Sequence, residues 1–170
     1  MLNLKVGKKV KAMDNIIKNQ IVKTSISLEE YIPLKVLIDR KDEPIKNLLY
    51  SKDKTSLLEI AVGITSGFIK SITLLLSKEY DINDSKLSID VYETGDLKVN
   101  GELKNNCSYF KTYLYKDGIR IVISEENIFK CIKMDRLYVA LSNLGSLVEI
   151  CLCQLTPNEV SHIKNELDYQ

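Results

Sequence analysis

The chain has a single histidine, and that residue limits the catalytic chemistry that its sequence can encode. A Ser–His or Cys–His nucleophilic pair could use only His162 as its base, and no Gly-x-Ser-x-Gly turn is present to display a serine nucleophile. His162 falls within a predicted helix, one turn before Glu166. The expected role there is that of a surface histidine beside a carboxylate, so a hydrolase triad is not expected.

The cysteines and glycines also lack the spacings of known sites. Cys107, Cys131, Cys151 and Cys153 include no Cys-x-x-Cys pair, and they have no companion histidines for zinc. Cys151 and Cys153 are two residues apart on a predicted strand, so they project from one face, where we expect packed thiols. The seven glycines are scattered singly, which excludes a P-loop or a dinucleotide fingerprint. We predict no catalytic residue, no metal site and no cofactor.

Carboxylates offer the remaining route to catalysis. Two of them could form an acid–base pair if the fold brings them together, although no spacing requires it. Two alternatives therefore stay open: an enzyme that uses carboxylates of residues 78–106, and a β domain that binds a small ligand. The carboxylates considered are Asp81, Asp84, Asp90, Glu93, Asp96, Glu125 and Glu126.

One cluster of side chains has the composition of a protein-binding surface. Tyrosine and arginine are enriched in binding hot spots because they combine a large apolar body with directional hydrogen bonds. We expect these side chains to bind a protein partner, unless a helix or loop of the same chain covers them. The candidate partner-binding residues are Tyr109, Lys111, Tyr113, Tyr115 and Arg120.

A predicted hairpin positions this cluster. The dipeptide Asp117-Gly118 supplies the two positive-φ residues of a type I′ turn, and a two-residue loop places Leu114 opposite Ile121. Opposed residues share a face, and this register separates an apolar face from a polar one more cleanly than a three-residue loop does. The predicted apolar face contains Phe110, Thr112, Leu114, Ile119, Ile121 and Ile123, and the polar face contains Tyr109, Lys111, Tyr113, Tyr115, Arg120, Val122 and Ser124.

A second hairpin is predicted around Thr65-Ser66-Gly67, with Gly67 at the left-handed position of a three-residue loop. Its segments are residues 56–64 and 68–76. The predicted pairs are Ile64 with Phe68, Val62 with Lys70, Ile60 with Ile72 and Leu58 with Leu74. One face is again apolar and the other mixed, as in an antiparallel sheet with one wet side.

The end of the chain predicts a helix. Thr156, Pro157 and Glu159 provide the N-cap, the first-turn proline and the third helical position of a capping box. Val160, Ile163 and Leu167 then form an apolar stripe that can pack on a sheet. Further strands are predicted at residues 20–27, 34–39, 87–92, 128–134, 137–141 and 146–155, and the last of these is expected to be central and covered on both sides.

The predicted fold class is therefore α+β and mainly β, an antiparallel meander sheet with a C-terminal helix packed on it. A chain of 170 residues fits a single domain, residues 1–170.

The charges nearly cancel, with 24 Lys and Arg against 23 Asp and Glu, a formal net charge of +1. This balance gives no overall field to hold nucleic acid or an anionic membrane. Residues 1–23 carry six lysines and one acid, but no aromatic residue is interleaved to stack on bases. No segment approaches the roughly 18 uncharged apolar residues that span a bilayer. We expect a cytoplasmic protein with a protein partner and without nucleic-acid or membrane partners, and the oligomeric state stays open.

Three segments carry a resemblance to a known class of proteins. They are Thr65-Ser-Gly-Phe-Ile-Lys70, Tyr115-Lys-Asp-Gly-Ile-Arg-Ile-Val-Ile-Ser124 and Thr156-Pro-Asn-Glu159, within residues 56–168. This arrangement resembles the small cytoplasmic bacterial immunity proteins that are encoded beside polymorphic toxins. The resemblance implies a non-catalytic protein that neutralises a toxin domain by binding it. The net charge of +1 departs from the acidic composition common in that class, which argues against a basic nuclease as the target.

Overall fold

The computed structural model describes residues 15–18, 20–99 and 110–170, which contain thirteen strands and one helix. The elements are β1 Asn15–Lys18, β2 Thr24–Ile26, β3 Leu34–Ile38, β4 Ile45–Lys52, β5 Ser56–Gly63, β6 Ile69–Ser77, β7 Tyr80–Ile82, β8 Glu93–Lys98, β9 Lys111–Leu114, β10 Ile119–Val122, β11 Lys130–Met134, β12 Leu137–Leu141, β13 Leu147–Leu152 and α1 Pro157–Tyr169.

The strands form two sheets. The eight-stranded sheet has the order β1-β8-β11-β12-β13-β10-β9-β7, and the five-stranded sheet has the order β2-β3-β6-β5-β4. The pairs are antiparallel except for β8 with β11 and β7 with β9, which are parallel. The predicted fold class, mainly β and antiparallel with one C-terminal helix, is confirmed. Strand β13 lies between β10 and β12 and is buried along its whole length, as its apolar sequence predicted.

One hydrophobic core unites the inward-facing side chains of both sheets and the buried side of the helix. Alternate residues of a strand point to opposite faces, and in β10 this places Ile119 and Ile121 inside. The helix adds Ile163 and Leu167 to the same core. Burying each such side chain contributes about 1.5 to 3 kcal/mol, so the alternating pattern decides which face of each strand turns inward.

The β5–β6 hairpin has the predicted register from Leu58 to Ala61, but its loop is one residue longer than predicted. The Gly63 N–H donates to the Phe68 carbonyl, so residues 64–67 form the loop and the predicted pair of Ile64 with Phe68 is wrong. Gly67 adopts φ +75°, the left-handed conformation that its place in the loop requires. Leu58 pairs with Leu74, as predicted. A bulge near the turn shifts the last pair by one residue and places Val62 opposite Ile69. The local turn signal thus identified the hairpin and the conformation of Gly67, but not the length of the loop.

In the β9–β10 hairpin the predicted two-residue turn is wrong. Leu114 pairs with Ile119, so residues 115–118 form a four-residue connection, and Gly118 does not have positive φ. The register is displaced from the prediction by two positions. Because side chains alternate with a period of two, each described residue of the hairpin still lies on its predicted face. Thr112, Leu114, Ile119 and Ile121 are buried, as predicted.

The β9–β10 turn differs from the predicted type I′ turn because the backbone and side-chain groups of Lys116 and Asp117 form hydrogen bonds with other segments. The Asp117 carboxylate accepts the Leu87 N–H at 2.8 Å, and the Asp117 carbonyl accepts the Leu155 N–H at 2.8 Å. The Lys116 N–H donates to the Ser85 carbonyl. These long-range bonds replace the local bonds of a type I′ turn, so tertiary contacts decide the conformation.

The strand predicted at residues 87–92 is also wrong, because that segment is irregular and a strand, β8, follows it. Strand β8 contains Gly95 and Asp96, residue types typical of turns. A Cβ at Gly95 would lie 2.8 Å from the Ile17 carbonyl oxygen of β1, and Asp96 is fully buried against Arg40. Both residues are explained by partners distant in sequence. Strands β4 and β7 were likewise not predicted.

The helix begins as predicted. Thr156 is the N-cap, its hydroxyl accepts the Glu159 N–H, and the Glu159 carboxylate accepts the Thr156 N–H. Arg136 also binds the Glu159 carboxylate at 3.0 Å, which attaches the first turn to the β11–β12 connection. His162 contacts the Ile32 carbonyl at 3.0 Å and so ties the helix to the segment before β3. No helix in the described part of the chain is long and apolar enough to cross a bilayer.

Candidate protein-binding groove

The side chains predicted to bind a partner lie on the outer face of the eight-stranded sheet, opposite to its buried face. Lys111 is exposed there, and Tyr113, Tyr115 and Arg120 are partly buried. The helix does not cover them, because its buried residues belong to the core between the sheets. Tyr109 lies outside the described residues. The structure thus brings four of the five predicted residues to one face.

Arg120 and Glu149 form an ion pair on this face. The Arg120 Nε and Nη2 atoms donate to Glu149 Oε2 at 2.9 and 2.7 Å, from β10 to the neighbouring strand β13. The Glu149 side chain is only 8% exposed, whereas the Arg120 side chain is 37% exposed. Partial burial lowers the pKa of Arg120, but the hydrogen bond and charge of Glu149 outweigh it and raise that pKa overall. The guanidinium is held in place and keeps one side open to solvent.

Lys111 lies on the same face, on the neighbouring strand β9, and it does not line the groove described below. Its ammonium group lies 2.9 Å from the Asp81 carboxylate of β7 and 5.1 Å from the centre of the Tyr113 ring. The hydrogen bond to Asp81 is the main reason why the pKa of Lys111 is raised. Lys111 therefore contributes a cation at the edge of the sheet, next to an aromatic ring.

Residues 85–91, called here the wall segment, run across the outer face. The hydrogen bonds from Asp117 to Leu87 and from Lys116 to Ser85 attach it to the β9–β10 turn. Gly118 permits this approach, because a Cβ there would lie 2.7 Å from Leu87 Cδ2 and 2.9 Å from the Leu152 carbonyl oxygen. The glycine of the turn is thus required by packing and not by positive φ.

A small apolar cluster anchors the wall segment to the sheet. Leu87 and Ile89 pack against Tyr138, Cys151 and Cys153, with Cys131 partly buried at the margin. Burial raises the pKa of both Cys131 and Cys153 to about 11 and also raises the pKa of Cys151. Three of the four cysteines are thus protonated packing residues, as the sequence predicted for Cys151 and Cys153, and Cys107 lies outside the described residues.

A groove of about 450 Å³ lies between the wall segment and the sheet. Its polar floor is formed by Tyr115, Arg120 and Glu149, and Val91 and Ile128 stand at its rim. Val91 is 85% exposed, Ile128 is 48% exposed, and the adjacent Phe129 is 69% exposed. A concave surface that combines exposed apolar side chains with a tyrosine and an arginine has the composition of a candidate interaction site.

Three of the carboxylates considered for catalysis, Asp81, Asp90 and Asp96, have different partners. Asp81 pairs with Lys111, while the buried Asp96 receives two hydrogen bonds from Arg40. Asp90 lines the groove and accepts a hydrogen bond from Ser88. Within residues 15–18, 20–99 and 110–170, no group of three or more His, Cys, Asp or Glu side chains is arranged to hold a metal ion.

Several groove residues were not identified from the sequence. Glu149 is the only charged residue in a strand that is otherwise apolar, and a buried carboxylate requires a cation nearby. That requirement, applied to the neighbouring strand, would have selected Arg120 as its partner. Val91 and Ile128 gave no such signal, because they fell within the strands predicted at residues 87–92 and 128–134, where an apolar residue is expected.

The chain was also compared with proteins of known family and function. It matched no protein-family model and no curated protein.

Proposed function

We propose that this protein is a non-catalytic binding module whose groove on the outer face receives part of a protein partner. The observation that supports the proposal best is the coexistence of an exposed apolar rim with a fixed Arg120–Glu149 pair in one concave surface. Apolar side chains supply most of the binding energy of such surfaces, and the charged pair supplies orientation and specificity.

The groove is held in shape before a partner arrives. Arg120 and Glu149 of its floor belong to paired strands, and its wall is attached through Asp117 and through the cluster around Tyr138. A surface that needs little rearrangement loses little conformational entropy on binding. This supports binding as the function of the outer face.

The partner we propose is a toxin domain that this protein neutralises as an immunity protein. The proposal rests on the resemblance of the two hairpins and the capped helix to that class. An immunity protein acts by occupying a surface of its toxin, so it needs a binding face and no reaction of its own. The outer face has the residue types that this role requires.

The experiment uses the full chain as bait for the product of the adjacent gene, and the affinity is then measured by calorimetry. Ile128→Ser removes an apolar side chain from the groove rim, and Ile64→Ser removes a similarly exposed one from the β5–β6 turn. We expect Ile128→Ser to weaken binding by about 1 to 4 kcal/mol if it is a hot spot. The matched variant Ile64→Ser should bind like the wild type.

Tyr113→Ala extends the test to β9, the strand next to β10, where the Tyr113 ring lies beside Lys111. Arg120→Ala is less suitable alone, because it would leave the buried Glu149 carboxylate without its cation. The double variant Arg120→Gln with Glu149→Gln removes both charges together. Affinity unchanged in all of these variants would exclude the groove, and the absence of any interaction with the neighbouring product would remove the support for an immunity function.

A further inference from the structure

The edge strands of the two sheets differ greatly in length. Within the described ranges, β1 has four residues and β2 and β7 have three each. Strand β4, at the edge of the five-stranded sheet, has eight residues and pairs with β5 in an unbroken register. Proteins usually shorten, bend or cover edge strands, because a long regular edge can pair with another chain.

The hydrogen-bonding direction of each β4 residue follows from its pairing with β5. Ile45 pairs with Gly63, and the Ile64 N–H donates to the Pro44 carbonyl at 2.9 Å. In an antiparallel ladder the direction alternates from one residue to the next. The even-numbered residues 46–52 therefore bond toward β5. The backbone groups of Ile45, Asn47, Leu49 and Ser51 point to the free edge, and no described backbone group pairs with them.

A second copy of the same strand fits this edge in one register. With Leu48 on a two-fold axis, Asn47 lies opposite Leu49 and Ile45 opposite Ser51, so all four outward residues exchange hydrogen bonds. A shift by one residue on each strand would place Lys46 opposite Lys52, and like charges directly opposite are destabilising. A shift in the other direction would leave Ser51 without a β4 partner.

We propose that two copies of this chain associate through antiparallel pairing of their β4 strands about Leu48. The five-stranded sheets of the two copies then become one continuous sheet. The formal net charge of +1 produces little repulsion between copies. The β4 edge belongs to the five-stranded sheet, whereas the proposed partner groove lies on the eight-stranded sheet, so the two interactions can be tested separately.

The test measures the mass of the full chain in solution by sedimentation equilibrium over a range of concentrations. Leu49→Pro removes a backbone N–H that points to the free edge. Proline is tolerated at such a position of an edge strand, so the pairing of β4 with β5 should be preserved. Leu49→Thr removes the same aliphatic side chain but keeps the N–H. We expect the wild type and Leu49→Thr to dimerise and Leu49→Pro to be a folded monomer. A wild type that is monomeric at every concentration, or a Leu49→Pro variant that dimerises as well as Leu49→Thr, would overturn the proposal.

Disulfide trapping tests the register without a proline. A mixture of the single variants Asn47→Cys and Leu49→Cys places the two thiols on directly opposed residues, within the range for a disulfide. A mixture of Asn47→Cys and Ser51→Cys separates them by two residues along the strand. Faster formation of the 47–49 link supports the pairing about Leu48. Faster formation of the 47–51 link, or equal formation of both, would overturn it.

Discussion

The two hairpins with glycine-containing turns give opposite lessons. In β5–β6 the local prediction for the glycine is confirmed, since Gly67 has the left-handed conformation that its loop requires. In β9–β10 the Asp117-Gly118 turn is determined by its contacts, since Asp117 bonds to Leu87 and Leu155 and Gly118 makes room for the wall segment. Gly67 is thus required by its positive φ, with Lys98 and the Val99 carbonyl also close to it, whereas Gly118 is required by close packing alone.

Carboxylates show the same contrast. In the β5–β6 turn the carboxylate comes from another segment: Glu43 accepts hydrogen bonds from the Thr65 and Ser66 N–H groups and from the Ser66 hydroxyl. In the β9–β10 turn the carboxylate belongs to the turn itself: Asp117 accepts a hydrogen bond from Leu87 of the wall segment. The conformation of the β9–β10 turn therefore depends on a segment that is distant in sequence, and this turn supports the proposed binding groove.

Among these substitutions, the largest decrease in the free energy of unfolding is expected for Gly118→Ala. The added Cβ would lie within 3 Å of Leu87 and of the Leu152 carbonyl oxygen, and overpacking of this kind costs about 1 to 3 kcal/mol. The urea midpoint should fall with an unchanged slope. A neutral substitution would show that the wall segment does not press on the turn.

The substitutions Gly67→Ala and Gly67→Asn sharpen the comparison. An L-residue in the left-handed conformation costs about 1 to 2 kcal/mol, and asparagine tolerates it better than alanine does. We therefore expect Gly67→Asn to be the more stable variant in urea unfolding. At position 118 asparagine should give no such advantage over alanine, because the cost there is steric. Equal responses at the two positions would contradict the distinction.

Asp117→Ala should destabilise the protein by about 1 kcal/mol through loss of the hydrogen bond to the Leu87 N–H. The exchange rate of the Leu87 amide should rise at the same time, which native-state hydrogen exchange can measure. Asp117→Asn is the matched control, because its amide oxygen can still accept that bond. Protection of Leu87 that persists in Asp117→Ala would show that the wall segment is held by its apolar contacts alone.

The smallest effect concerns Glu43, whose pKa is lowered from 4.5 to about 2, first by the Ser66 hydroxyl and then by Lys70 and the Ser66 amide. A carboxylate with a lowered pKa in the folded state stabilises it fully above pH 4.5, and this contribution is lost as the pH falls toward 2. The difference in unfolding free energy between the wild type and Glu43→Gln should therefore shrink on acidification across that range. A difference that is independent of pH would contradict the assignment.

Much of the fold could be predicted where the deciding contacts are local. Thr156 and Glu159 are three residues apart and define the helix start, and Leu58 and Leu74 flank a short loop. Strand β8 could not be predicted, because the buried charge of Asp96 is paired with Arg40, which is distant in sequence.

The candidate site divides in the same way. Alternation placed Tyr113 and Arg120 on the outer face even though the register was wrong by two positions. The rim residues Val91 and Ile128 belong to irregular segments that only the fold brings together.

The central claim, that the groove on the outer face binds a protein, is tested most directly by hydrogen exchange of the chain alone and in complex with the product of its neighbouring gene. Exchange reports on both contrasted regions in one experiment. We predict slower exchange on binding in residues 85–91, 115–122 and 128–131, with no change in residues 63–70 of the β5–β6 turn. Slower exchange confined to residues 63–70 or to the helix, with the groove unaffected, would contradict the claim.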